Sequence, residues 1–423
     1  MAETERQMVA AEEEGHRGKG HNLAVVISWM LGCVMLFPWN ALLTINDYYY
    51  VVFPNDHPSR VFTIIYEPFG LGVTLIFLYF EARASTRWRV VSGFLLFTAS
   101  IIFIIVVDLV SHGDGGRGAF IVMCFLIMLF GIADGIVQGG LVGELAYMHP
   151  SYMQAYTAGL AASGVVTSGL RMITKAAFGD GNFGLRKGAL VFLGLAALIE
   201  IIGFLLYIFV FPRIESVRKY REKAFLQGSK AVADAVAPTV ADSEKTTVQG
   251  VEYREAERKT VKQLMIETWD FNLALVLIYT LSLSIFPGFL YEDTGKHKLG
   301  SWYALVLIAM YNAADLLGRY VHLIPGLFMS SRPMILNCCW LRLAFVPAFY
   351  FTAKYADAGY MIFLCIMLGL TNGYLTVVVF IRAPRGYNSL EQNAIGNILV
   401  VFLLLGLLLG VVSGWLWLIG KGW

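Results

Sequence analysis

The chain has 423 residues, 57% hydrophobic and 15% charged, with a mean hydropathy of +0.65. Soluble domains carry about 25% charged and about 45–50% apolar residues, so this composition excludes a soluble globule, and equally a disordered or fibrous chain. A net charge of +2 gives no global basic character that would recruit nucleic acid. The cysteines Cys33, Cys124, Cys338, Cys339 and Cys365 all lie in apolar stretches without a CxxC pair, which argues against a disulfide framework, a zinc site or an iron–sulfur cluster. The chain reads as a polytopic membrane protein.

A membrane-spanning helix needs roughly 20 apolar residues. Eleven such runs follow one another at about 23–45, 60–82, 90–110, 119–143, 152–174, 189–211, 269–290, 301–324, 333–352, 358–380 and 393–418. They are continuous and too long for barrel strands, so the expected class is all-α. Residues 1–22 form a polar tail without the apolar core of a cleavable signal, and span 1 is expected to act as its own targeting signal. The organisation expected is this tail, a six-helix bundle over 23–211, a linker over 212–265 and a five-helix bundle over 266–423.

The linker opens with Arg213, Arg218, Lys219, Arg221 and Lys223, passes through the low-complexity AVADAVAPTVADSEKTT, and closes with Arg254, Arg258, Lys259 and Lys262. It is too polar to pack a core and reads as a mobile loop with helical ends. Ser216, Ser229, Ser243, Thr246 and Thr247 lie near its basic residues and are candidate phosphorylation positions. Placing the N-terminus in the cytoplasm puts 20 Lys and Arg on the inner segments and 9 on the outer ones, so the C-terminus is expected outside.

Ionisable groups inside spans mark function by default. Span 8 places Asp315 and Arg319 at i and i+4, on one helix face and within ion-pairing reach, with Asn312 widening that face. The pair reads either as a structural lock between helices or as a site that meets a polar solute. Span 4 carries a glycine stripe, Gly131, Gly135, Gly139 and Gly143, suited to close helix approach. Packing does not account for Asp134 and Gln138 beside it, and the Gln138 amide suits a nucleobase edge. In span 1, Pro38 is expected to break the helix, Trp39 offers a flat apolar face, and Tyr48 to Tyr50 read as interfacial anchors. Phe286–Pro287 in span 7 echoes Phe37–Pro38, a pointer to repeated halves around a central site. Arg171 and Lys175 are expected to snorkel to the interface. The sequence has no GxxxxGK[ST], HExxH or GxSxG, so neither an ATP-driven pump nor an enzyme is expected.

FPWN, GIVQGG, FPG, DLLGR, SRP, LRLAFVP, TNGYL and EQNAIG, in this order and around the long loop, resemble the equilibrative nucleoside transporter family over nearly the whole chain. TINDYYY, YEPF, AGLAASGVVTSGLRMITKA and FGLRKGA are similar to its plant branch. The resemblance implies a major-facilitator-like arrangement of eleven helices and alternating access around a central cavity. It implies substrate contacts at Leu36, Trp39, Leu43, Gln138, Asn312, Asp315 and Arg319. The substrates implied are purine and pyrimidine nucleosides such as adenosine and uridine. The plant-branch likeness implies proton symport more often than facilitated diffusion, with Asp134 and then Glu67 as the carboxylates to carry the proton. The competing role for Asp134 is a hydrogen bond to a neighbouring helix. No metal and no cofactor beyond the proton gradient is expected, nor any nucleic-acid partner. The chain is expected as a monomer in the plasma membrane, with the vacuolar membrane as the alternative. A channel, or a receptor signalling through the linker, is the competing class.

Overall fold

The computed structural model describes residues 20–54, 56–79, 86–178, 182–236, 259–292, 302–355 and 358–418. The described residues form helices without a strand. Six long helices precede the loop: α1 (His21–Thr44), α2 (Pro58–Tyr79), α3 (Thr86–Val110), α4 (Arg117–Ala146), α5 (Pro150–Phe178) and α6 (Asn182–Leu205). A helix of the loop itself, α7 (Glu215–Val236), comes next. Beyond it lie α8 (Trp269–Ile285), α9 (Trp302–Val321), α10 (Arg332–Leu341) with its continuation α11 (Phe345–Tyr355), α12 (Ala358–Arg382) and α13 (Ser389–Gly414).

Among the described residues, ten helical segments are long and apolar enough to cross a membrane. Of the eleven expected spans, the one outside this set is α5, whose 29 residues suffice in length but carry a polar set that includes Gln154, Thr157, Ser163, Thr167 and Ser168. Its position explains this. It packs on α1, α9 and α12, and its first half is almost wholly buried, so it needs no lipid-facing apolar surface. Within the first half of the chain α4 packs on α2 and α3; within the second, α9 packs on α12 and α8 on α13. The halves meet along α5 with α9, and along α13 with α4 and α2.

Several local expectations change. Helix α1 runs unbroken through Pro38, whereas α8 stops at Ile285 just before Phe286–Pro287, so the two Phe–Pro pairs are not matching interruptions. Tyr48 and Tyr49 are buried, and the Tyr48 hydroxyl donates to Asp108, which Arg186 also holds at 3.1 Å; only Tyr50 is exposed. Arg171 is buried beside Gly188 of α6 and does not snorkel, whereas Lys175 lies 5.5 Å from the Trp302 ring centre. Part of the loop does pack. Val217 of α7 is buried, and Arg221 donates at 2.6 Å to Glu144, which also accepts from the Tyr207 hydroxyl at 2.9 Å. Residues 1–19 of the tail and 237–258 of the linker, with Ser243, Thr246 and Thr247, lie outside the described residues.

Candidate substrate site

The i, i+4 spacing on α9 produces the expected pair. Arg319 Nε and Nη2 each stand 3.1 Å from Asp315 Oδ2, and both residues are buried. The remaining Asp315 oxygen accepts from Asn372 Nδ2 at 2.7 Å. Asn372 is placed by a close crossing of α9 and α12, because a Cβ on Gly369 or Gly373 would strike the carbonyl of Tyr311 or Asp315. Ser282 donates to Asn372 Oδ1 at 2.7 Å and accepts from Arg342 Nη2 at 2.8 Å. On the other side, Arg319 Nη1 donates to the Thr157 carbonyl of α5. A polar chain therefore runs from Arg342 through Ser282, Asn372, Asp315 and Arg319 into the other half of the protein. An isolated buried ion costs several kcal/mol, and each charge in this chain has its hydrogen bonds.

Sequence reasoning missed Arg342 and Asn372 as members of this chain. Arg342 sits in a short 3₁₀ turn between α10 and α11, and its guanidinium also donates to the Ile278 carbonyl and to Thr371. An arginine in the middle of a span was the signal available. Asn312 lies on the same face of α9 but is held by α5, donating to the Gly164 carbonyl at 3.2 Å and to Ser168 at 2.9 Å.

The facing elements come from α1, α2 and α4. Trp39 is buried and stacks on Tyr66 with ring centres 3.8 Å apart and planes within 8°, so one indole face is covered by the tyrosine. Leu36 and Leu43 are half-buried against the same core. Asn40 donates to Ser163 of α5 at 2.7 Å. Gln138 is buried at 6% exposure and has no hydrogen-bond partner among the described residues, so its amide keeps both donor and acceptor capacity. One turn away, Asp134 is buried at 3% exposure. Glu67, next to Tyr66 on α2, is buried as well. Gly131 and Gly135 of the glycine stripe lie against α2, and Gly139 and Gly143 against Asn393 and Asn397 of α13 and Arg89 of α3.

Residues 123–419 match the nucleoside transporter family. The chain belongs to that family. It is 49% identical over 403 residues to equilibrative nucleotide transporter 5 of Arabidopsis thaliana, covering 95% of this chain and 96% of that one. It is 48% identical over 414 residues to equilibrative nucleotide transporter 7 of the same plant, covering 98% and 99%. Its fold is similar to the major facilitator superfamily proton:xylose symporter XylE, with a TM-score of 0.62, 12% identity, and 94% and 88% of the two chains covered. This is a multi-pass membrane transporter with a major-facilitator-like fold, not an enzyme. Family membership gives the buried polar chain its context: a charged pair bonded across the two halves of a transporter.

Proposed function

We propose that this transporter carries purine and pyrimidine nucleosides by alternating access, with the 23–211 and 266–423 bundles moving against each other, and that it couples uptake to protons. The observation that carries this reading is the Asp315–Arg319 pair, buried where the bundles meet, with Arg319 reaching the Thr157 carbonyl. Trp39 and the Leu36 and Leu43 side chains would flank the base, Gln138 would bond its edge, and Asp315, Arg319 and Asn312 would hold the ribose. The planar guanidinium of Arg319 suits vicinal hydroxyls, which a lysine would serve less well.

Charge balance favours nucleosides over nucleotides. A phosphorylated ligand asks for uncommitted cationic donors. Arg319 is already paired with Asp315, and Arg342 is bonded to Ser282, Thr371 and the Ile278 carbonyl. Uridine is therefore expected to compete with labelled uridine at least tenfold better than uridine monophosphate does.

Gln138→Ala tests the base contact. It is expected to lower uridine uptake about tenfold at unchanged surface level, since loss of one good hydrogen bond in a dry site is worth about 1.5 kcal/mol. Normal uptake of both uridine and adenosine would remove Gln138 from the site. For coupling, Asp134→Asn keeps shape and hydrogen bonding but cannot titrate. Expected is uptake that no longer rises with external acidity, while exchange of nucleoside persists. Uptake by the unmodified protein that ignores pH and a protonophore would leave purely facilitative transport, in keeping with the word equilibrative in the relatives' names. The plasma membrane, a cytoplasmic N-terminus, an outside C-terminus and a monomeric state complete the proposal. A channel would need a continuous polar lining, whereas the ionisable groups here are few and buried in separate helices, Asp134 in α4 and Asp315 with Arg319 in α9.

A further inference from the structure

Glu200 of α6 is fully buried, and neither of its carboxyl oxygens has a hydrogen-bond partner among the described residues. It lies within electrostatic reach of Asp134 on α4, and Asp134 is within the same reach of Glu67 on α2. The Tyr66 hydroxyl is also buried without a hydrogen-bond partner and lies within electrostatic reach of all three carboxyls. One Glu67 oxygen is also buried without a partner. Three helices of the first bundle thus each bury a carboxyl group in its interior, within electrostatic reach of Tyr66.

No cation is committed to them. From α3, Arg89 lies over the Phe77 ring and donates to Asn397 of α13. From α5, Arg171 sits beside Gly188, well along α6 from Glu200. Arg186 at the far end of α6 is held by Asp108, and Arg319 of α9 by Asp315. Tyr66 of α2 and Tyr156 of α5 lie within the same reach of Asp134 and bring no positive charge at neutral pH, and the remaining basic residues of these helices, His21, Arg60, Arg87, Arg117, Lys175 and Lys187, stand within the first or last two turns of their helices. Nor does the cluster suit a metal: among the described residues no three His, Cys, Asp or Glu side chains converge closely enough to hold one. Ionised carboxylates buried and without a hydrogen-bond partner would each cost several kcal/mol. The species that resolves this is the proton.

We propose that Glu200, Asp134 and Glu67 form one shared proton site, and that Glu200 is the member the coupling step cannot do without. The inference rests on the coupling reading above and extends it to a residue outside the ribose-and-base site. A proton taken from water at the outer face adds to a carboxylate oxygen of the cluster and leaves to water on the inner face when the bundles change their packing. Tyr66 connects the cluster to the substrate site, since its hydroxyl lies within electrostatic reach of the carboxyls and its ring is stacked on Trp39. Substrate against Trp39 and protons on the carboxyls would thereby be felt by one another.

The test uses the purified full chain in liposomes with labelled uridine, comparing the unmodified protein with Glu200→Gln. With Glu200→Gln, exchange at equal pH on both sides should stay within twofold, while accumulation driven by an inward proton gradient should fall at least fivefold, to the level without a gradient. The infrared band of protonated carboxyl groups should also weaken in Glu200→Gln. If both proteins accumulate uridine equally, Glu200 is no part of the proton site, though coupling stands. If the unmodified protein shows no gradient-driven accumulation, the coupling reading fails and this inference with it. Should Glu200→Gln not fold, Glu200→Leu, an apolar replacement of similar size, takes its place with the same expected outcomes. An unchanged infrared band in a folded variant would overturn the proposal by itself.

Discussion

Arg319→Lys should lower nucleoside uptake at least tenfold with the transporter at normal surface level. Lysine keeps the charge, so Asp315 is not left as an unpaired buried ion. It loses the fork that lets Arg319 hold Asp315 at 3.1 Å through two nitrogens and the Thr157 carbonyl through a third. The connection between the bundles then depends on a single ammonium, which is compact and strongly hydrated. Arg319→Ala is a harsher change. Breaking a buried pair by removing one partner costs about 3–5 kcal/mol, so the alanine variant should also be less abundant. Surface labelling alongside initial rates of labelled uridine uptake separates the two effects. Uptake by Arg319→Lys within twofold of normal would show that the fork is not used in transport.

The second large effect concerns packing. Where α1 crosses α5, Gly159 lies on the Trp29 carbonyl and Gly32 on the Tyr156 carbonyl, both closer than any Cβ tolerates. The obstacle in each case is backbone, which a rotamer change cannot relieve. Gly159→Ala should therefore force the helices apart, destabilising the protein by about 1–3 kcal/mol or more. Gly194→Ala on α6 is the control, since a Cβ there meets nothing within 4 Å. Removing a mid-helix glycine should leave stability unchanged or raise it by up to about 1 kcal/mol. Thermal unfolding of the purified variants reads both. Equal melting temperatures for Gly159→Ala and the unmodified protein would mean that α1 and α5 are not pressed together as the structure has them.

The helices were legible in the sequence because apolar runs of spanning length leave few alternatives, and the Asp315–Arg319 pair because i, i+4 spacing fixes its geometry. What was hidden depends on contacts between distant segments. Nothing near Asn372 in the chain tells that it bonds Asp315, 57 residues away. Nor does the run around Glu200, apolar on both sides, show that Asp134 lies within reach. Trp39 was visible as a flat surface, but Tyr66 covering one side of it was not. Tyr48 and Tyr49 failed as anchors for the same reason: the aromatic signature of an interface is also that of a core, and Asp108 with Arg186 holds Tyr48 in the core. Pro38 was expected to break α1, yet the helix continues through it, whereas Pro287 does follow a helix end.

The most direct test of nucleoside transport is initial-rate uptake of labelled uridine and adenosine in cells that lack their own nucleoside carriers, with counterflow from preloaded cells and with the proton gradient present or collapsed. The account predicts saturable uptake of both nucleosides, acceleration by unlabelled nucleoside on the opposite side, and lower accumulation once the gradient is collapsed. Flux that grows linearly with concentration and shows no counterflow, from protein confirmed at the cell surface, would contradict it.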